Sequence, residues 1–288
     1  LILCYDKHSR LLPLRGGCCF PYDPAVHKNN KEYHGMNRNP LISKFFILCM
    51  GLLTLLSAQA SSAQMTAAEQ VQVFASRATG SLLLLRGEGF QEAHLARLDK
   101  DIADLEGAAQ NAMSASSEIP GLTTKLVTQL RLGVSYGPKE DDVPWRYPED
   151  LAQSLRDLLT VARAVPDATP EGELPGKVEY LAVQYLSRSY IGTFEIAREQ
   201  PDNYIGQDER VLVPDIDEEM KALDDKNNPA LAKLKTRWNF LRAALLDMNS
   251  QSNALASASG RAFAPTTVDR HARSLSNQWM AINSVETP

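Results

Sequence analysis

Apolar side chains recur every three or four residues along most of this chain after residue 60, and this spacing most constrains its fold. One uninterrupted stripe follows Phe90; its members are Leu95, Leu98, Ile102, Leu105, Ala109 and Ala112. Another stretch follows Asn228 and Pro229 and keeps a seven-residue spacing as far as Leu255, apart from Ser252. Residues at these spacings share one face of an α-helix, so both stretches predict helices with one buried face.

Helix-boundary signals divide the rest of the chain after residue 60 into further helices. Thr66 and Glu69 form a capping box, which predicts a helix from Thr66 to Arg86. Other helices are predicted from Pro120 to Leu132 with Gly133 as a stop, from Pro148, from about Pro175 to Glu199, after Asp215, and from Thr266. The segment NYIGQDERVLVP has room for a short extended piece but carries no hairpin signal. The sequence therefore predicts an all-α protein, an antiparallel helical bundle.

Short phrases recur in the same order in the two halves of this helical region. Four pairs match: FASRA with YLSRS, LDKDIADL with IDEEMKAL, PGL with PAL, and PEDLAQSLRDL with PTTVDRHARSL. The linker-like VPDATPEGELPG separates the halves. These matches predict two tandem four-helix units, at 61–172 and 173–288. The alternative is that amphipathic helices resemble one another by chance.

A secretory signal is the clearest indication of where the protein works. Met36 is followed by two basic residues and by the apolar run FFILCMGLLTLLSA; Ala58 and Ala60 then have the spacing of a cleavage site. We expect a signal peptide at 36–60, a bacterial origin and a periplasmic or extracellular mature protein. An uncleaved membrane anchor is the alternative, but the run is shorter than the roughly 20 apolar residues that span a bilayer.

Residues 1–35 precede this start-like Met36 and show no helical or strand periodicity. Lys31 and Glu32 could be encoded as a ribosome-binding sequence at a suitable distance from a start codon for Met36. We therefore interpret 1–35 as translated upstream DNA. A genuine N-terminal tail is the alternative, and the segment is expected to be disordered in either case.

Composition after the predicted cleavage site excludes several classes of function. All four cysteines precede Ala60, so the mature chain offers neither a thiol nucleophile nor a Cys-based metal site. This region holds 23 Lys and Arg against 32 Asp and Glu, a net charge of −9. An acidic balance argues against nucleic acid and against an anionic membrane surface as partners. We predict no cofactor and no transmembrane segment in the mature chain.

Two arginines recur at matching places in the predicted repeat. Arg77 shares a mostly apolar helix face with Ser81, and Arg188 takes the corresponding place in the second half. A buried guanidinium costs several kcal/mol unless an anion meets it. We therefore predict that Arg77, Ser81 and Arg188 bind a small anionic ligand. The alternative is that each arginine reaches the surface or pairs with an acid on a neighbouring helix.

The tryptophans fall into two groups. Trp238 and Trp279 lie on inward stripes and are predicted to be in the core. Trp145 lies in the loop VSYGPKEDDVPWRYP, beside Pro144, where it is expected to be an exposed anchor for a ligand or an envelope protein. The alternative is that Trp145 closes one end of the first bundle.

The pattern of chemically reactive residues favours a non-catalytic function. No acid/base pair stands at catalytic spacing, and His94 and His271 lie outside metal-binding motifs. We expect an exported ligand-binding or sensory accessory module that serves a membrane partner. The alternative is an envelope assembly or scaffolding protein, and an enzyme or haem protein ranks third.

We expect mass spectrometry of the exported protein to find an N-terminal peptide that begins at Ser61, because the spacing of Ala58 and Ala60 suits a signal peptidase. The unprocessed precursor in whole cells is the control and retains peptides from 36–60. Peptides from 1–35 in either fraction would refute a start at Met36.

Overall fold

A computed structural model describes residues 65–165, 170–192, 203–246 and 264–284. The predicted upstream segment 1–35 and the signal peptide 36–60 lie outside these described residues. The described residues form eight α-helices with a short 3-10 turn and no strand, which confirms the all-α, bundle-like prediction. The helices are α1 Ala67–Gly87, α2 Glu92–Ala112, α3 Ile119–Ser135, α4 Tyr147–Arg163, α5 Pro170–Tyr190, α6 Glu209–Ala222, α7 Pro229–Leu246 and α8 Pro265–Ser284. None of the described helices combines the length and the hydropathy needed to cross a membrane.

Helices α1 and α5 form the centre of the bundle. Every residue from 174 to 187 in α5 is buried, and α1 is buried over most of its length. Near the start of the two helices Gly172 lies against Glu69, and at their ends Gly87 lies against Tyr190. The two helices therefore run side by side in the same direction, while the outer helices cover them.

The same pairs of helices pack together in each predicted half. Helix α1 contacts α2, α3 and α4, and α3 also contacts α2 and α4. In the second half α5 contacts α6, α7 and α8, and α7 also contacts α6 and α8. This pattern agrees with a duplicated unit, although the predicted boundary between 172 and 173 lies inside α5. The duplication and its boundary stay predictions.

Several local signals act as the sequence predicts. The Thr66 hydroxyl accepts a hydrogen bond from the Glu69 backbone N–H at 3.2 Å, and the Glu69 carboxylate accepts one from the Thr66 N–H at 2.6 Å. This reciprocal pair satisfies two of the unpaired donors at the start of α1. Trp238 and Trp279 are buried, which confirms their place in the core.

The bounds of α5 and α6 differ from the prediction. Helix α5 begins at Pro170, within the linker-like stretch, because a proline is well suited to the first position of a helix. It ends at Tyr190, short of the predicted end, and Gly192 follows with a φ of 85°. Helix α6 begins at Glu209, before the predicted start, because the Asp208 carboxylate caps it by accepting the Arg210 N–H at 3.0 Å.

Gly133 does not stop α3 as predicted; the helix continues to Ser135. A Cβ added at Gly133 would lie 2.1 Å from the Tyr147 hydroxyl oxygen and 2.7 Å from Leu82 Cδ2. The glycine therefore lets α4 and α1 approach α3 closely. Its role is packing, which no local sequence signal distinguishes from helix termination.

We expect Gly133→Ala to lower the free energy of unfolding by about 1–3 kcal/mol, because the added methyl overpacks the contact with Tyr147 and Leu82. Gly107→Ala is the matched control: Gly107 lies in α2 with open space around it, and the change should stabilise the protein by about 0.5–1 kcal/mol. Chemical denaturation measures both. Equal effects of the two substitutions would contradict the close approach at Gly133.

Candidate functional site

Arg77 lies in a buried ion pair that joins the two central helices. Its side chain is 5% exposed, and its Nε donates to Glu179 Oε1 at 2.8 Å. Its Nη2 donates to the Ser276 hydroxyl, which in turn donates to the same Glu179 oxygen. The guanidinium of Arg77 is thus met by a carboxylate of α5 and a hydroxyl of α8. It also lies over the aromatic ring of Phe74.

Ser81 belongs to a second cluster one turn further along α1. Its hydroxyl donates to Asp101 on α2, whose two carboxylate oxygens accept from Arg273 of α8 at 2.7 and 2.8 Å. Burial by itself raises the pKa of Asp101, but hydrogen bonds from Arg273 and Ser81 and the positive charges of Arg273 and Arg97 outweigh it and hold that pKa below its usual value. Arg97 adds an ion pair to Asp269 of α8. These bonds connect α2 to α8 through side chains.

Arg188 is paired in a corresponding way in the second half. Its Nη1 lies 3.0 Å from Oε2 of Glu209, a carboxylate that is 3% exposed at the start of α6. Both predicted arginines are therefore met by acids on neighbouring helices, as the alternative interpretation expected. The need for an outside anion, which was the physical reason for a ligand at Arg77, Ser81 and Arg188, is met by the protein itself. Binding of a small anion by these three residues stays a prediction.

Trp145 lies in a different environment, in the loop before α4. Its side chain is 83% exposed, so it does not close the bundle end as the alternative expected. It lines a cavity of about 680 Å³, the end pocket, together with the ends of α1 and α5 and the start of α4. The apolar walls include Leu82, Leu83, Val143, Pro144 and Leu151. A cavity of this size is in the range that holds a drug-sized molecule.

Two glycines bring the tyrosines of the end pocket close to the bundle. The ring of Tyr190 packs directly on Gly87, where a Cβ would lie 2.3 Å from it. Tyr147 packs on Gly133, and Tyr136 meets Tyr147 edge to face at 5.1 Å between ring centroids. These close contacts hold the rings of Tyr147 and Tyr190 against α3 and α1, so this part of the pocket wall is closely packed.

Both tyrosine hydroxyls of the end pocket are committed to hydrogen bonds. Tyr147 donates to the Gln129 carbonyl oxygen at 2.9 Å, and burial raises the pKa of its hydroxyl. The Tyr190 hydroxyl donates to the Glu88 carboxylate. Burial is the main cause that raises the pKa of this hydroxyl, and the hydrogen bond to Glu88 raises it further. Both phenols therefore stay neutral and add no negative charge to the pocket.

Arg86 is the one charged side chain among the described residues that line the end pocket. Its guanidinium donates to the carbonyl oxygens of Gly133 at 2.7 Å and Gly137 at 3.0 Å, at the C-terminal end of α3. Carbonyls at a helix C-terminus carry partial negative charge, so they hold the arginine in place. Sequence reasoning missed Arg86 because its partners become neighbours only when α3 packs on α1.

Comparison with known proteins gives no significant match to a protein-family model, a curated protein or a solved structure. The site must therefore be interpreted from its own chemistry. Within the described ranges, no group of three or more His, Cys, Asp and Glu side chains is placed to hold a metal ion.

We expect Arg77→Met to lower the free energy of unfolding by about 3–5 kcal/mol, because it leaves the Glu179 carboxylate buried without its cation. The matched control is Arg131→Met, which removes a half-exposed partner of Asp99 and should cost at most about 1 kcal/mol. Urea denaturation measures both. Replacing Arg77 and Glu179 together by Met should recover most of the loss.

A ligand-binding role for Arg77 makes the opposite prediction. Under that role Arg77→Met would keep the stability of the unliganded protein and abolish its stabilisation by small anions. That result would contradict the structural role of the ion pair.

Proposed function

We propose that this protein is an exported, non-catalytic ligand-binding module that serves a membrane partner. The end pocket carries the proposal. It joins a cavity of about 680 Å³ to a large, solvent-exposed aromatic side chain at its mouth. Export rests on the predicted signal peptide at 36–60, which supplies the compartment in which such a module would meet its partner.

Because Trp145 is exposed, a ligand that covers its side chain gains binding free energy. A tryptophan side chain presents about 150–250 Å² of mostly apolar surface. Covering 150 Å² of it contributes about 4 kcal/mol at roughly 25 cal/mol per Å², before the entropy cost of association. Trp145 is not among the described side chains that pack against the hydrophobic core, so a ligand can cover it without disturbing core contacts.

Envelope scaffolding is the second candidate, and the same observation favours it. Trp145 is exposed enough to anchor in a pocket of another protein, as interface tryptophans commonly do. The two functions differ in what covers Trp145: a small molecule in the end pocket, or a protein surface placed over the loop. Only the first uses the buried walls of Leu82 and Leu151 behind the tryptophan.

We expect a screen of small metabolites against the protein without residues 1–60 to find compounds that raise its melting temperature, with the rise lost in Trp145→Ala. Ligand at 100 times its dissociation constant should stabilise the protein by about 2.7 kcal/mol. Phe240→Ala, an exposed aromatic on α7 outside the end pocket, is the matched control and should keep the effect.

Two results would go against the ligand-binding function. Shifts of equal size in wild type and Trp145→Ala would place binding outside the end pocket. No shift with any compound, together with Trp145-dependent capture of an envelope protein, would support scaffolding instead.

A further inference from the structure

The charge of Arg86 indicates which chemical class the end pocket takes. Its hydrogen bonds go to backbone carbonyl oxygens of Gly133, Tyr136 and Gly137. Among the described residues, no carboxylate lies within 4.0 Å of its guanidinium. The helix end supplies only about half of an elementary negative charge. Within the described part of the chain, this half-buried positive charge therefore has no full counter-ion.

The other described residues that line the end pocket do not neutralise the charge of Arg86. The lining residues from the described part of the chain include no Asp or Glu. The two phenols stay protonated and direct their hydrogen bonds to Gln129 and Glu88. A neutral apolar ligand would strip water from Arg86 and leave its charge unmatched, at a cost in free energy. One anionic group on the ligand would remove that cost and gain charge-assisted hydrogen bonds.

The shape of the walls specifies the rest of the ligand. Leucine, valine and proline side chains face the cavity, and Trp145 stands at its mouth with a large exposed ring face. Aromatic walls packed on Gly87 and Gly133 favour a flat, apolar body that packs on them. Arg86 carries the one positive charge among the described residues that line the pocket, so a second anionic group buried against these walls would lack a partner.

We infer that the end pocket binds a small amphipathic monoanion: a flat apolar body between Trp145 and the leucine wall, with one carboxylate or sulfonate group on Arg86. This inference rests on the proposed ligand-binding function and specifies the ligand class of the same site. The arginine that it uses differs from Arg77 and Arg188, whose predicted anion site stays a separate prediction.

Two dyes with the same ring system test the inference. Anilinonaphthalenesulfonate carries one sulfonate, and N-phenylnaphthylamine lacks it. We expect the wild-type protein to bind the sulfonate dye more tightly, although the neutral dye is the more apolar of the two. Arg86→Gln should weaken the sulfonate dye about 10- to 100-fold and leave the neutral dye unchanged, because it removes only the charge-assisted bonds. Fluorescence titration measures both affinities.

Three further variants distinguish an effect of the Arg86 charge on binding from an effect on folding. Arg86→Lys keeps the positive charge and should restore most of the affinity for the sulfonate dye. Trp145→Ala should weaken both dyes, because it removes the ring face they share. Arg131→Gln, at an arginine outside the end pocket that pairs with Asp99, should change neither affinity. Circular dichroism checks that each variant is folded.

Each result decides the inference. If wild type binds the neutral dye as tightly as the sulfonate dye, or if Arg86→Gln and Arg131→Gln behave alike, the inference is wrong. Should Arg86→Gln fail to fold, the comparison of the two dyes on wild type decides alone. Trp145-dependent binding without charge preference would overturn the ligand class and leave the proposed function standing. Dye binding that ignores Trp145 would contradict both.

Discussion

The constraint on which the arrangement of the bundle depends is that a charge buried in its middle must meet an opposite charge, a constraint satisfied by the Arg77–Glu179 ion pair. This pair joins the two central helices, α1 and α5, where both are buried, and Ser276 extends it to α8. A charge in the interior is costly without its partner, so the pair favours the relative position of the helices that keeps Arg77 beside Glu179. Arg273, bonded to Asp101 through both carboxylate oxygens, repeats this constraint one turn away.

This closed network explains why the middle of the bundle is a poor place for a ligand. Every arginine there has a protein carboxylate, so an incoming anion would have to displace a bonded one. At the bundle end the situation is reversed. The hydrogen bonds of Arg86 within the described part of the chain go to carbonyl oxygens, its guanidinium lies over the Phe90 ring, and Trp145 is left exposed. The charged side chains in the middle of the bundle thus pair with one another, and the proposed ligand site lies where helices α1 and α5 end.

Local signals were predictable wherever their partners are close in sequence. The capping box of Thr66 and Glu69 spans three residues, and the apolar stripe of α2 repeats every three or four, so both follow from the chain alone. Gly133 was misjudged as a helix stop because the residue that requires a glycine there, Tyr147, belongs to another helix. The start of α5 was misjudged because prolines suit both a linker and the first turn of a helix.

The sequence by itself determined that the chain forms helices, roughly where they lie and which of their faces are apolar, because these properties depend on residues within one or two turns of each other. Only the tertiary structure decided which charges pair and where a cavity remains. Arg77 and Glu179 are 102 residues apart, and Ser81 and Arg273 are 192 apart. Contacts over such distances depend on how whole helices pack, and packing is the property that set Glu179 beside Arg77 and left Arg86 at the edge of the end pocket.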